Sequence, residues 1–156
     1  MKNQTDDLNW GRIFAVILVL SCFKQAKADF TFGEPVNLGP PVNDTTWAES
    51  PSISTDGLTL FFESWRDGGA GLNDIWMSQR VTKDDPWGEP ACLAASANSP
   101  GGEKQPDISA DGRTLYAVDQ TNFRMIVADT DTRSVVQSVP VGRYPFGITL
   151  TPDGSR

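Results

Sequence analysis

The sequence predicts an all-β chain built from repeated antiparallel sheets, on three observations. One pattern occurs twice, 55 residues apart: Gly33-Glu34-Pro35-Val36-Asn37-Leu38 returns as Gly88-Glu89-Pro90-Ala91-Cys92-Leu93, and Pro51-Ser52-Ile53-Ser54-Thr55-Asp56-Gly57-Leu58-Thr59-Leu60 as Pro106-Asp107-Ile108-Ser109-Ala110-Asp111-Gly112-Arg113-Thr114-Leu115. A clipped third copy, Ile148-Thr149-Leu150-Thr151-Pro152-Asp153-Gly154, follows. Past residue 28, no segment of helix length carries apolar residues at 3.6 spacing. Self-similarity at such a period marks a repeat architecture, and short strands joined by turns point to a β-propeller with one sheet per repeat.

Residues 1–28 read as an export signal. Lys2 and Arg12 precede an almost wholly apolar run over 13–23, and Ala26-Lys27-Ala28 supplies small residues at the two positions a signal peptidase reads, with cleavage before Asp29. The run is 11 residues long, against roughly 20 for a helix that crosses a bilayer. A signal helix is therefore expected, and not a permanent span. Val19-Leu20-Ser21-Cys22 offers a second route, because it resembles the bacterial lipobox, in which Cys22 is lipidated and becomes the N-terminus. The first route predicts a periplasmic or extracellular protein, the second one anchored to the membrane by lipid.

The propeller-type repeats are then expected over 30–156, the first over 30–85 and the second with an incomplete third over 86–156. In each, an alternating segment meets Asp-Gly and then a run of β-formers, 58–63 in the first copy and 114–118 in the second. Tight hairpin turns need positive φ, which Gly and Asp tolerate, so Asp56-Gly57, Asp111-Gly112 and Asp153-Gly154 read as turn formers. A third strand is expected over 74–78, with Ile75 and Met77 on one face and Trp76 on the other. The Gly-rich stretch 67–73 before it has no following Lys-Ser/Thr and opens no helix, so it reads as a flexible hairpin loop and not a phosphate cradle. In the second copy strands are expected over 125–129 and 134–139, turned by Thr130-Asp131-Thr132.

Blades have four strands, and closed propellers usually have four to eight blades. Two to three blades cannot close a ring, so the expectation is a partial propeller, a fragment of a longer protein. Its unpaired blade edges invite self-association.

Past residue 28 the chain holds 18 Asp and Glu against 9 Lys and Arg. Such a surface repels phosphate backbones, and nucleic acid is excluded as a partner class. Only Cys92 follows that point, so no intramolecular disulfide is expected.

At particular residues the repeat resembles known families. Residues 47–66, with Asp74-Ile75-Trp76-Met77-Ser78-Gln79-Arg80 and the leading Gly33-Glu34-Pro35-Val36-Asn37-Leu38-Gly39, resemble the WD40-like repeat of periplasmic TolB-type propellers. From Asp111-Gly112-Arg113-Thr114-Leu115-Tyr116 onward the chain resembles the YVTN propeller repeat. Ile126-Val127-Ala128-Asp129-Thr130 matches its strand ending in Asp-Thr, and Val139-Pro140-Val141-Gly142-Arg143-Tyr144-Pro145-Phe146-Gly147-Ile148 its inter-blade crossing. The resemblances imply an exported bacterial protein that binds proteins, envelope components or small ligands. Some YVTN-like propellers belong to dehydrogenases or lactonases, whose catalytic residues lie outside the repeat motif, so none transfers to this sequence.

Candidate chemistry is sparse. The chain contains no His, which removes the commonest general base and the Ser-His triads. Asp84 and Asp85 are adjacent and would face opposite ways in a strand, so they do not form a catalytic pair. Asp129-Thr130-Asp131 has two oxygen ligands at alternate positions but lacks the other ligands of a calcium loop, and reads as a hairpin turn. Trp47, Trp65, Trp76 and Trp87 read as packing between sheets, with a carbohydrate or quaternary-amine platform as the alternative. Cys92, in an apolar setting without a nearby cation, reads as a buried thiol. No catalytic, cofactor-binding or metal residue is assigned. The expected function is non-enzymatic protein or ligand binding in the bacterial envelope, and the alternative is the non-catalytic part of a propeller enzyme.

Overall fold

The computed structural model describes residues 33–151. The chain divides into a short unit, Met1–Pro35, and a unit Val36–Arg156 that carries all the strands and is described by itself. The signal read over 1–28, its alternative at Cys22 and the turn pair Asp153-Gly154 lie outside the described residues.

Eight strands and no helix occur among the described residues: β1 Ala48–Ile53, β2 Thr59–Ser64, β3 Asp74–Gln79, β4 Ala91–Cys92, β5 Glu103–Ile108, β6 Thr114–Asp119, β7 Arg124–Asp129 and β8 Ser134–Pro140. They form two four-stranded sheets, β1-β2-β3-β4 and β5-β6-β7-β8, with every neighbour antiparallel. The first sheet takes its fourth strand from Ala91–Cys92, so the repeat boundary set after Asp85 does not coincide with the sheet boundary. The third copy contributes no strand over 148–151. The described residues therefore hold two sheets, where the sequence suggested two to three blades.

The turns between β1 and β2 and between β5 and β6 repeat atom for atom. Gly57 and Gly112 both have φ of 74°, a conformation that a side chain disfavours. Asp56 Oδ1 accepts from Leu58 N at 2.9 Å, and Asp111 Oδ1 from Arg113 N at 3.1 Å. The Ser54 and Ser109 hydroxyls each donate to the turn aspartate and each accept, at 2.9 Å, from the amide of Thr59 or Thr114. The motif Ser-x-Asp-Gly-x-Thr is thus a self-contained turn that satisfies its own backbone.

Each first strand also carries a bulge at the same repeat position. Register shifts between Glu49 and Ser52 and between Lys104 and Asp107, where Ser50 and Gln105 both have φ of 50°. Pro51 and Pro106 follow these residues, and a proline, lacking an N–H, is confined to such gaps in a ladder.

The core shows how the sheets relate. Phe61, Ile75 and Met77 of the first sheet pack with Ile108, Leu115, Ala117, Ile126 and Ala128 of the second. On the opposite face of the first sheet, Leu60, Phe62 and Trp76 pack with Val42 and Trp87. Leu60 and Leu115 are the same repeat position, as are Phe62 and Ala117, yet Leu60 and Phe62 face away from the second sheet while Leu115 and Ala117 face the first. The sheets are therefore stacked head to tail, each offering one face forward and the equivalent of its neighbour's other face backward.

Hydrogen bonds repeat that relation. The Ile108 amide donates to Ser52 Oγ at 3.1 Å, and the Leu150 amide donates to Asp107 Oδ2 at 2.9 Å. Ser52 and Asp107 are equivalent. So are Ile108 and Leu150, when the copies are aligned on their Asp-Gly pairs. Ser52 Oγ in turn donates to Asp107 Oδ1 at 3.2 Å.

Arg66 closes the outer face of the first sheet. Its guanidinium lies 4.8 Å from the Phe62 ring centre and 5.3 Å from that of Trp76, and it donates to the carbonyls of Pro41 and Val42 at 3.1 and 2.7 Å. Arg80 covers Trp87 at 4.4 Å in the same manner.

Candidate functional site

The four tryptophans past residue 28 have two different fates. Trp76 and Trp87 are buried in the outer cluster of the first sheet. Trp47 and Trp65 are 70% and 62% exposed and stack on each other, with ring centroids 6.2 Å apart and planes 17° from parallel. The register explains the pair: Ala48 faces Ser64 at the end of the β1–β2 ladder, which leaves residues 47 and 65 opposite one another just beyond it. Trp47 and Trp65 lie past the last pair of the ladder and pack between no sheets, and Trp76 and Trp87 are buried on the outer face of the first sheet and not against the second, so the expectation of packing between sheets is met among the described residues by none of the four.

Trp65 lines a cavity of about 470 Å³ together with Gly71, Leu72, Asn73, Gly102, Lys104, Gln120 and Thr121. The walls come from the β2–β3 loop, the β6–β7 loop and the start of β5. Leu72 is 72% exposed beside it. Lys104 is the one charged residue among those lining residues.

The Gly-rich loop 67–73, whose last three residues line the cavity, is not the loose hairpin that its composition suggested. Ala70 N and Gly71 N both donate to Asp74 Oδ2 at 3.1 Å, and Leu72 N donates to the Gly101 carbonyl at 2.8 Å. A Cβ on Gly71 would collide with the carbonyl oxygens of Ser99 and Gly101. The glycine is needed for close backbone approach, a reason that composition cannot distinguish from flexibility.

Beneath this end of the sheets lie buried acids. Glu103 is fully buried, and accepts from Ser99 N at 2.9 Å and from the Ser99 hydroxyl. Burial pushes its pKa up to about 7, outweighing the Ser99 hydrogen bonds, and the charges of Asp119 and Asp74 push the same way. Burial alone would also raise Asp119, but hydrogen bonds from Asn122 and Arg124 prevail and hold it below the ordinary carboxylate value. Asp74 Oδ1 and Glu63 Oε2 are buried without a hydrogen-bond partner.

Other sequence candidates fall in turns. Asp85 accepts from Thr82 N and Oγ1, and Asp129 from Thr132 N and Oγ1. No group of three or more acidic or Cys side chains suited to a metal occurs among the described residues. Cys92 is half-buried and accepts from Asn98 Nδ2 at 3.0 Å. Burial raises its pKa, against the Asn98 hydrogen bond, so the protonated thiol is favoured.

A second cavity, of about 500 Å³, is lined by Pro40, Asp44, Arg66, Trp76 and Glu89 among others, and the indole N–H of Trp76 is buried there without a partner. The Arg66 guanidinium is already committed to Pro41, Val42 and Ser64. A third, of about 270 Å³, lies where the two bulges and Ile148 meet.

No family model and no curated protein matches the chain. Among solved structures, it is similar to Kuenenia stuttgartiensis hydrazine synthase at 24% identity and a TM-score of 0.47. The match covers 67% of this chain and 26% of that one, so this chain spans about a quarter of its length.

Proposed function

We propose that this chain is a non-enzymatic β-propeller-type module, exported from a bacterial cell, that binds a ligand or partner protein in the envelope. The binding end is the one where the β2–β3 and β6–β7 loops meet. The propeller reading draws support from the head-to-tail stacking, from the Leu150–Asp107 hydrogen bond that repeats Ile108–Ser52, and from the resemblance to WD40-like and YVTN repeats. One observation carries the binding function: an exposed indole and an exposed leucine line one walled cavity, and a second exposed indole stacks on the first, where soluble proteins otherwise scatter such groups singly. Glu103, whose pKa burial raises to about 7, has no exposed surface and does not line the cavity, so it offers no carboxyl to a ligand there.

The test is expression of the full chain in a Gram-negative host, with fractionation and intact-mass measurement, and passage of soluble envelope fractions over the immobilised protein. The expected product lies in the periplasm with Asp29 first, or in the membrane with lipidated Cys22 first, and retention of envelope material is lost in Trp65→Ala. A full-length cytoplasmic product, or retention indifferent to Trp65, would overturn the reading.

A further inference from the structure

We propose that the cavity beside Trp65 is a saccharide site that takes an uncharged pyranose ring against the exposed Trp65 indole. The inference rests on the binding reading above and names its ligand class.

Three features of the cavity match that ligand. Offset stacking on Trp47 steadies the Trp65 ring, which lines the cavity and is still 62% exposed, so flat aromatic surface is open to a ligand there. A pyranose presents the complementary surface, a face of C–H groups ringed by hydroxyls. Around the indole stand groups that serve hydroxyls: Asn73, Gln120, Thr121 and Lys104. Thr121 Oγ1 accepts from Gly102 N at 3.2 Å, which leaves its hydroxyl hydrogen to donate. Gln120 Nε2 donates to the Pro145 carbonyl at 3.0 Å, which anchors the amide and leaves its oxygen as an acceptor. The volume of about 470 Å³ lies within the range of small-molecule sites, roughly 300–1,000 Å³. The walls are also set in advance, since the loop bearing Leu72 is held by Asp74 and Gly101.

Charge and geometry decide against the neighbouring ligand classes. A quaternary ammonium needs several aromatic faces about one point, whereas Trp65 is the one aromatic residue among those lining this cavity and Lys104 adds repulsion. A polyanionic glycan would meet a single ammonium on a chain with a large excess of acids past residue 28.

The test is titration of the full chain with maltotetraose, cellotetraose and chitotetraose, read by tryptophan fluorescence and calorimetry. Saturable binding of at least one is expected. Trp65→Ala should weaken it about tenfold or more, Trp65→Phe by less, and Thr121→Ala a few-fold. The exposed position of Trp65 predicts unchanged melting for both tryptophan variants, which separates loss of a site from loss of fold. The assignment falls if none of the three sugars saturates, if Trp65→Ala binds as the parent does, or if only choline or heparin binds. If the sugars fail while envelope material is still retained through Trp65, the saccharide assignment falls and the binding reading stands. If retention fails as well, both fall.

Discussion

Glu103 makes the stability of this chain depend on pH in a way that exposed carboxylates do not. Burial holds its proton to about pH 7, against an ordinary value of 4.5. Between those values the folded chain keeps a proton that the unfolded chain has released, so stability falls as pH rises from 4.5 to about 7 and is level beyond. The turn carboxylates work in the opposite sense. Hydrogen bonds from Thr46, Ser54, Ser109 and Thr132 hold Asp44, Asp56, Asp111 and Asp129 below 3.8. Their contribution is present above that value and lost as the medium is acidified through their folded pKa values. Urea unfolding across pH should therefore show a maximum at about pH 4 to 5, and Glu103→Gln should flatten the limb between that maximum and neutrality. A parent chain whose stability rises from pH 5 to 7 would contradict the assignment. None of this is readable from the sequence, where Glu103 is one acid among 20. Its burial comes from the sheet–sheet junction, which only the fold creates.

At the scale of elements, local chemistry made much of the architecture legible. The all-β class follows from periodicity, and the runs expected over 58–63, 74–78, 114–118, 125–129 and 134–139 overlie β2, β3, β6, β7 and β8 to within a residue or so at each end. What escaped has a physical reason in each case. β4 has two residues, too few for alternation to register. The bulges depend on the joint demands of a proline and an inter-sheet contact, and the tryptophan fates depend on where a ladder ends. Nor does sequence flag Asn98, whose amide extends the short β4 by acting as a backbone unit. Asn98 Oδ1 accepts from Ile75 N at 2.8 Å and Nδ2 donates to Ile75 O at 3.0 Å, with the side chain buried. Removing it strands the Ile75 amide, at roughly 1–3 kcal/mol, while the Ile75 carbonyl still accepts from Leu93 N at 3.1 Å. Asn98→Ala should thus lose about 1–3 kcal/mol in chemical denaturation, and a loss below half of one kcal/mol would mean that water or a neighbour replaces the amide.

For the whole molecule, the sheets follow one another by a repeated step, and this leaves β8 with β7 on one side and no strand on the other among the described residues. Val136 on that strand is 65% exposed. Unpaired edges template association, so sedimentation should show a concentration-dependent increase in mass that Val136→Lys reduces. A strictly monomeric parent would show that this edge is already blunted, as Pro140 at its end would favour. The repeated step itself is tested most directly by amide hydrogen exchange on the full chain, comparing Ile108 with Leu150. Docking of the third copy through Asp107 predicts that Leu150 is protected alongside Ile108, and that Asp107→Ala releases Leu150 while β2 and β3 keep their protection. Exchange of Leu150 at the rate of a free chain in the parent protein would contradict the step, and with it the reading of the sheets as successive members of one stack.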